Sequence, residues 1–240
     1  MTDPPFLQTF VARYEPVEPV AAGGLDLYLP AGALPRPAVL LVHGGPVPAE
    51  LPWRPPPSWP AYRGYGSLLA AAGVTGVMFE HGYRSGPDID RAADDVRRAV
   101  EAGRSHPAVD ADRVVLWFFS GGGVLAGTWL AEPPDWLAGV VLTYPLLNHL
   151  PNVPSRLATP VSVAAEVRTP VLLVRVEHEL DVALPGQQEF LTACPDVSVI
   201  DVPGGRHGFE TIDDTPTARA AITDSVAWAA DRARRGDCAG

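Results

Sequence analysis

A serine followed by three glycines carries the clearest chemical signal in this sequence. The apolar run of residues 114–119, Val-Val-Leu-Trp-Phe-Phe, ends abruptly at Ser120, and glycines occupy positions 121–123. This order predicts a strand, a sharp turn and the start of a helix, which together expose a serine hydroxyl at the carboxyl end of a sheet. The positive end of the helix points at the same spot. Ser120 is therefore the candidate nucleophile.

A serine hydroxyl needs a base that takes up its proton, and His207 is the candidate for that role. An imidazole titrates near neutral pH and suits proton transfer. His207 lies in the glycine-rich segment 204–208, directly after an apolar run, and has little apolar periodicity around it. These surroundings favour a catalytic histidine over one packed in the core.

A carboxylate must then fix the imidazole tautomer and stabilise its cation. Glu179 and Asp181 both qualify, and both follow the apolar run 170–176. Glu179 is favoured, because a short turn would carry its side chain back over the sheet toward His207. Asp181, two residues further on, is the alternative.

The tetrahedral intermediate of acyl transfer also needs fixed N–H donors for its oxyanion. The N–H of Gly121, next to the candidate nucleophile, is one candidate donor. The second is expected from the loop His43-Gly44-Gly45-Pro46, which follows another apolar run. Pro46 has no N–H, so Gly45 is the better candidate there. His43 itself is interpreted as a brace for this loop.

The elements that position these residues alternate along the chain. Apolar runs at 37–42, 74–79, 114–119, 139–143, 170–176 and 197–202 are separated by helical patterns, including 88–103 and 215–235, and segments 9–13 and 25–29 read as two opening strands. Such alternation predicts an α/β fold with a mostly parallel, doubly wound sheet of about eight strands. In such sheets ligands bind beyond the carboxyl ends of the strands, where all the candidate residues fall.

The chain is expected to form one domain over residues 1–240, with a possible small lid at 146–168. A surface loop rich in proline and tryptophan precedes the helical pattern at 65–72. Trp53 and Trp59 of this loop, Tyr83 and residues 146–160 are predicted to line the substrate pocket.

Composition disfavours two kinds of partner. The formal net charge is −10, from 28 acidic and 18 basic residues, which disfavours nucleic acid and anionic membranes. Every basic residue is an arginine, so no lysine can take part in a mechanism. Neither a secretory signal nor a run of ~18 apolar residues is evident, so the cytoplasm is the expected location. No metal-ligand spacing is found.

Together these segments resemble the α/β-hydrolase superfamily, in particular its dienelactone-hydrolase-like and hormone-sensitive-lipase-like serine esterases. The resemblance is carried by residues 27–30, 43–46, 109–114, 120–123, 170–174 and 207–209. It implies a serine esterase without a cofactor that cleaves a small carboxylic ester, lactone or related acyl compound through an acyl-enzyme. The chain departs from the family pattern at Phe118, where glycine is usual, and at Glu179, which stands in the place of the usual aspartate.

Two other functions are compatible with the sequence. Phe118 and the unsettled acid motivate a non-catalytic or repurposed hydrolase fold that binds or cyclises a small molecule in a biosynthetic pathway. The segment 43–46 suggests an acylpeptidase-like peptidase, although no propeller-like domain is evident in the sequence.

Overall fold

Eight strands of the described residues form one sheet. The structure is a computed structural model that describes residues 4–49, 54–150, 153 and 155–235. The strands are β1 (Val20–Ala22), β2 (Leu25–Tyr28), β3 (Arg36–Val42), β4 (Thr75–Phe79), β5 (Val109–Phe119), β6 (Leu137–Thr143), β7 (Val171–His178) and β8 (Ser198–Arg206). Their spatial order is β1-β2-β4-β3-β5-β6-β7-β8, with β1 and β2 antiparallel to their neighbours and β3 to β8 parallel. The predicted fold class is confirmed.

Helices connect the strands and cover both faces of the sheet. The α-helices are α1 (Pro60–Ala71), α2 (Ile89–Arg104), α3 (Gly127–Ala131), α4 (Pro160–Val163), α5 (Leu184–Ala193), α6 (Phe209–Ile212) and α7 (Pro216–Arg235). Short 3-10 helices lie at Pro5–Leu7, Pro56–Ser58, Gly86–Asp88, Ser120–Ala126 and Ala164–Glu166. The long helix α7 begins where sequence chemistry favours it, because the Thr215 hydroxyl accepts a hydrogen bond from the Ala218 N–H and proline occupies position 216.

The central strand β5 is buried on both sides, which explains why it reads as an unbroken apolar run. Leu116 and Phe118 point into the cluster that contains α2, whereas Trp117 and Phe119 point into the cluster that contains α1 and α7. Full burial of each such side chain contributes about 1.5–3 kcal/mol to folding. The central strands are therefore rigid supports for the loops at their carboxyl ends.

Strand register brings distant loops together at that edge. Val42 pairs with Phe118, so the loop that begins at His43 leaves the sheet beside Ser120. His178 pairs with Arg206, so Glu179 and His207 emerge side by side. Parallel pairing from β3 to β8 thus fixes the relative positions of Ser120, Glu179, His207 and the loop that begins at His43.

The predicted opening strand at residues 9–13 is wrong. This segment is irregular, and the first strand is Val20–Ala22 instead. Phe10 is buried with its ring centroid 5.2 Å from that of Tyr65, and the Val11 N–H donates to the carbonyl of Glu210. The segment alternates because its apolar side chains pack on the helices, without a strand partner.

The region 146–168 contains little regular structure in its described part. It includes α4 and the 3-10 helix Ala164–Glu166. Helix α4 begins at a capping box in which Thr159 and Ser162 exchange hydrogen bonds between side chain and backbone. Helix α4 packs against α3 and α5. Within the described ranges, no helix has the length and hydropathy needed to cross a membrane.

Candidate active site

Ser120 occupies a strained turn directly after β5. Its φ is +50°, in the left-handed region that residues other than glycine rarely adopt, at a cost of about 1–3 kcal/mol. The glycines that follow permit a very close approach of the β3 loop. A Cβ built on Gly121 would lie 1.8 Å from the Gly45 carbonyl oxygen, and one on Gly122 would lie 2.4 Å from that of His43. The turn forms despite Phe118, since that side chain is fully buried below it.

Three side chains from separate loops form a continuous chain of hydrogen bonds. Ser120 Oγ lies 2.6 Å from His207 Nε2, and His207 Nδ1 lies 2.6 Å from Glu179 Oε1. Because Nδ1 faces a carboxylate, the ring is assigned its proton there, which leaves a lone pair on Nε2 for the serine proton. The His207 side chain is 20% exposed and that of Glu179 is 0% exposed. The arrangement can transfer a proton from the hydroxyl to the imidazole.

Glu179 is held by donors on both of its oxygens. Oε1 also accepts from the Leu180 N–H at 2.8 Å, and Oε2 accepts from Gln187 Nε2 at 2.8 Å. Gln187 Nε2 in turn lies 3.1 Å from the Pro145 carbonyl oxygen. These bonds offset the cost of burying the carboxylate. Of the two acids predicted from the sequence, the structure brings Glu179 to His207, whereas Asp181 is exposed to solvent.

Two stacked histidines brace the loop that contains Gly45. The rings of His43 and His81 are parallel to within 11°, with centroids 3.6 Å apart. His43 Nδ1 donates to the Gly44 carbonyl at 2.6 Å, His43 Nε2 accepts from the His81 N–H at 3.2 Å, and His81 Nε2 donates to the His43 carbonyl at 3.0 Å. Burial lowers the pKa of His81 to about 4 and the pKa of His43 well below its ordinary value. Both rings are therefore neutral and hold one loop conformation.

The N–H groups of this loop have different surroundings. The Gly44 N–H donates to the Tyr62 hydroxyl at 3.0 Å, and Pro46 has no N–H. Gly45 packs on the ring of Tyr83, because a Cβ at Gly45 would lie 2.6 Å from Tyr83 Cδ1. Of the two glycines of this loop, Gly45 is thus the one whose N–H does not donate to Tyr62, and it lies against Gly121.

A cavity of about 320 Å³ opens beside Ser120 and His207. Aromatic rings form much of its wall, from Phe6, Trp59, Tyr62 and Tyr144. The remaining lining residues are Pro5, Gly44, Gly45, Pro46, Val47, Pro48, Ala61, Gly208, Glu210 and Thr211.

The predicted pocket residues have different outcomes. Trp59 lines the cavity, whereas Trp53 lies outside the described residues. The prediction for Tyr83 needs correction, because its ring is 1% exposed and lies beneath Gly45, away from the cavity wall. Among the described residues of 146–160, none lines the cavity.

Tyr144 and Glu210 belong to the site although the sequence did not single them out. Tyr144 follows β6 with φ +36°, and its ring centroid lies 4.5 Å from that of His207. Its hydroxyl donates to Glu210 Oε1, and burial raises the pKa of both side chains. Their positions offered a signal, since one follows a strand at its carboxyl end and the other lies three residues after His207. Over the described residues, no group of three His, Cys, Asp or Glu side chains could hold a metal ion.

No protein-family model and no curated protein matches this sequence. Solved structures do share its architecture. A truncated form of a carbohydrate esterase from gut microbiota has a TM-score of 0.67 and 17% identity, over 95% of this chain and 100% of that one. Esterase 2 of Thermogutta terrifontis, phosphorylated by paraoxon, has a TM-score of 0.65 and 19% identity, over 90% of this chain and 91% of that one.

A peptidase shares the architecture as well. Dipeptidyl peptidase 4 of Porphyromonas gingivalis has a TM-score of 0.66 and 16% identity, over 91% of this chain and 35% of the peptidase. At identities this low, the structural likeness shows the fold alone. The shared fold agrees with the resemblance stated from the sequence. This chain therefore has the fold of the α/β-hydrolase superfamily.

Proposed function

We propose that this chain is a serine hydrolase that cleaves a small carboxylic ester, lactone or related acyl compound through an acyl-enzyme. The observation that carries the proposal is the hydrogen-bonded chain from Ser120 Oγ through His207 to Glu179, which opens onto the aromatic cavity. The esterases that share the fold support it.

In the acylation step, Ser120 Oγ attacks the carbonyl carbon while His207 Nε2 takes up the hydroxyl proton. Glu179, at Nδ1, stabilises the imidazolium that forms. When the tetrahedral intermediate collapses, the bond between the carbonyl carbon and the leaving oxygen breaks, and His207 protonates the departing alcohol. Water then attacks the acyl-enzyme by the same steps and releases the acid.

The negative charge that develops on the carbonyl oxygen requires donors that are already in place. In this proposal the N–H groups of Gly121 and Gly45 supply them. The close packing of these two glycines and the neutral His43–His81 pair below the loop support that role. Removal of one such donor typically lowers kcat by about 10²–10³.

The test is hydrolysis of p-nitrophenyl esters of increasing acyl length by the wild type and by Ser120→Ala. We expect turnover by the wild type that is at least about 10³-fold above that of the variant. We also expect a fall in kcat/KM once the acyl chain exceeds what a cavity of about 320 Å³ accepts. Parallel assays with aminoacyl 4-nitroanilides identify a peptidase. Equal, background rates for both proteins on every substrate would contradict the proposal and favour a repurposed binding fold.

A further inference from the structure

One acidic residue that lines the cavity has no part in the proposed hydrolysis. Glu210 lies in α6, is 3% exposed and lines the cavity together with Ser120 and His207. Its Oε1 accepts from Tyr144, whereas its Oε2 is buried and has no hydrogen-bond partner among the described residues. An unpaired buried carboxylate oxygen is costly, and such a group calls for a donor from outside the chain.

The surroundings of Glu210 favour a cationic donor. The Phe6 and Trp59 rings stack with centroids 4.3 Å apart, and those of Trp59 and Tyr62 are 6.0 Å apart, so that the cavity presents several aromatic rings. No arginine is among the described lining residues, and Glu210 is the acidic residue among them. Aromatic faces next to one carboxylate are the groups that bind an ammonium ion in proteins.

We infer that Glu210 binds an ammonium group of the substrate, so that this enzyme prefers acyl compounds carrying a positive charge. The inference rests on the proposed hydrolase function and makes Glu210 a specificity-determining residue. Burial raises the pKa of Glu210 in the free protein, and a bound cation would favour the ionised form. The formal net charge of −10 attracts such substrates to the protein surface.

The experiment compares substrates that differ only in charge. On the acyl side, p-nitrophenyl L-alaninate is compared with p-nitrophenyl 2-methylpropanoate, in which a methyl group replaces the ammonium. On the alcohol side, protonated 4-aminobutyl acetate is compared with pentyl acetate, in which a methyl group again replaces the ammonium. The measured quantity is the ratio of kcat/KM for the charged and the neutral ester, in which any general effect on catalysis cancels.

We expect Glu210→Gln to lower this ratio by about tenfold to one hundredfold for the pair of esters whose ammonium group reaches the carboxylate. This range corresponds to the loss of one hydrogen bond to a charged group. The matched control is Glu132→Gln, which removes an equal charge from an exposed residue directly after α3 and should keep the ratio of the wild type. If Glu210 served only to hold Tyr144, the ratio would not move. An unchanged ratio for both pairs of esters overturns the inference.

A binding measurement separates this inference from the proposed function. Calorimetry on Ser120→Ala, with L-alanine methyl ester and with methyl 2-methylpropanoate, needs no turnover. Preferential binding of the charged ester, lost when Glu210→Gln is added, supports the inference even if no ester is hydrolysed. Equal binding of both esters overturns it even if hydrolysis is observed. If Glu210→Gln does not fold, Trp59→Leu should lower the charged-to-neutral ratio, and retention of the full ratio counts against the site.

Discussion

Replacement of Glu179 with glutamine tests the proposed proton transfer with the least change in shape. Glu179 Oε1 accepts from both His207 Nδ1 and the Leu180 N–H, and Oε2 accepts from Gln187. A glutamine amide can replace only one of these oxygens by NH₂. Placed at Oε1, the NH₂ opposes the Leu180 N–H and moves the histidine proton to Nε2. If the NH₂ group takes the place of Oε2, it faces the NH₂ group of Gln187. Gln187 can then accept a hydrogen bond only by turning its amide, which loses the hydrogen bond to the Pro145 carbonyl oxygen.

Both orientations remove the negative charge next to the imidazolium. The side chain of Glu179 is 0% exposed, so water cannot replace that charge. Breaking a buried ion pair by removing one partner costs about 3–5 kcal/mol. Applied to the transition state, this predicts a fall in kcat of about 10²- to 10⁴-fold, with a smaller change in KM.

The assay is ester hydrolysis under saturating substrate, with circular dichroism to verify folding. Asp181→Asn is the matched control, because Asp181 is the exposed alternative acid in the same loop. We expect Asp181→Asn to change kcat by less than about twofold, in line with an exposed site. A larger loss for Asp181→Asn than for Glu179→Gln would refute the assignment of the acid.

Three other perturbations test separate parts of the site. Since burial depresses the pKa of His81 to about 4 and that of His43 well below its ordinary value, both rings stay neutral in the folded chain, whereas in the unfolded chain they bind protons below about pH 6.5. The free energy of unfolding in urea should therefore decrease as the pH falls from 6.5 to 4, by about 1.4 kcal/mol per pH unit for His81, and His43 adds to the decrease in the same direction. The decrease should be less steep in His81→Gln, and an equal slope in the variant contradicts this. Gly121→Ala places a Cβ 1.8 Å from the Gly45 carbonyl oxygen, so kcat/KM should fall at least about 10²-fold, whereas Gly103→Ala, whose Cβ meets ordinary contacts at 3.5 Å, should keep its activity. Because Ser120 has φ +50°, Ser120→Gly should be about 1 kcal/mol more stable than Ser120→Ala in thermal unfolding, and equal stability would argue against a strained turn.

Much of the fold was predictable because the central strands are buried on both faces. Strands β3, β4 and β6 and the carboxyl-terminal half of β5 read as apolar runs, since neither face is free for polar residues. Residues 9–13 misled the prediction because Phe10 and Ala12 alternate in burial, and alternation alone does not distinguish a strand from an extended segment that packs on helices. Pairing depends on a free sheet edge, which local sequence does not encode.

The same distinction separates the predicted from the missed site residues. Ser120, Glu179 and His207 each follow a strand, so the parallel sheet predicts their common edge before any distance is known. The Tyr144–Glu210 contact and the stacking of His81 on His43 join residues 66 and 38 positions apart. These contacts depend on how side chains pack above the edge of the sheet, and no spacing rule gives that. The same reason applies to Tyr83. It follows the carboxyl end of β4, but its ring packs beneath Gly45 and does not line the cavity.

The proposal that Ser120 is an activated nucleophile is tested most directly by covalent labelling with a fluorophosphonate. Intact mass and peptide mapping are measured for the wild type and for Ser120→Ala. The account predicts one adduct, located on Ser120, absent from Ser120→Ala and formed more slowly in Glu179→Gln. A wild-type protein that stays unlabelled while a control esterase reacts fully, or an adduct on another residue, would contradict it.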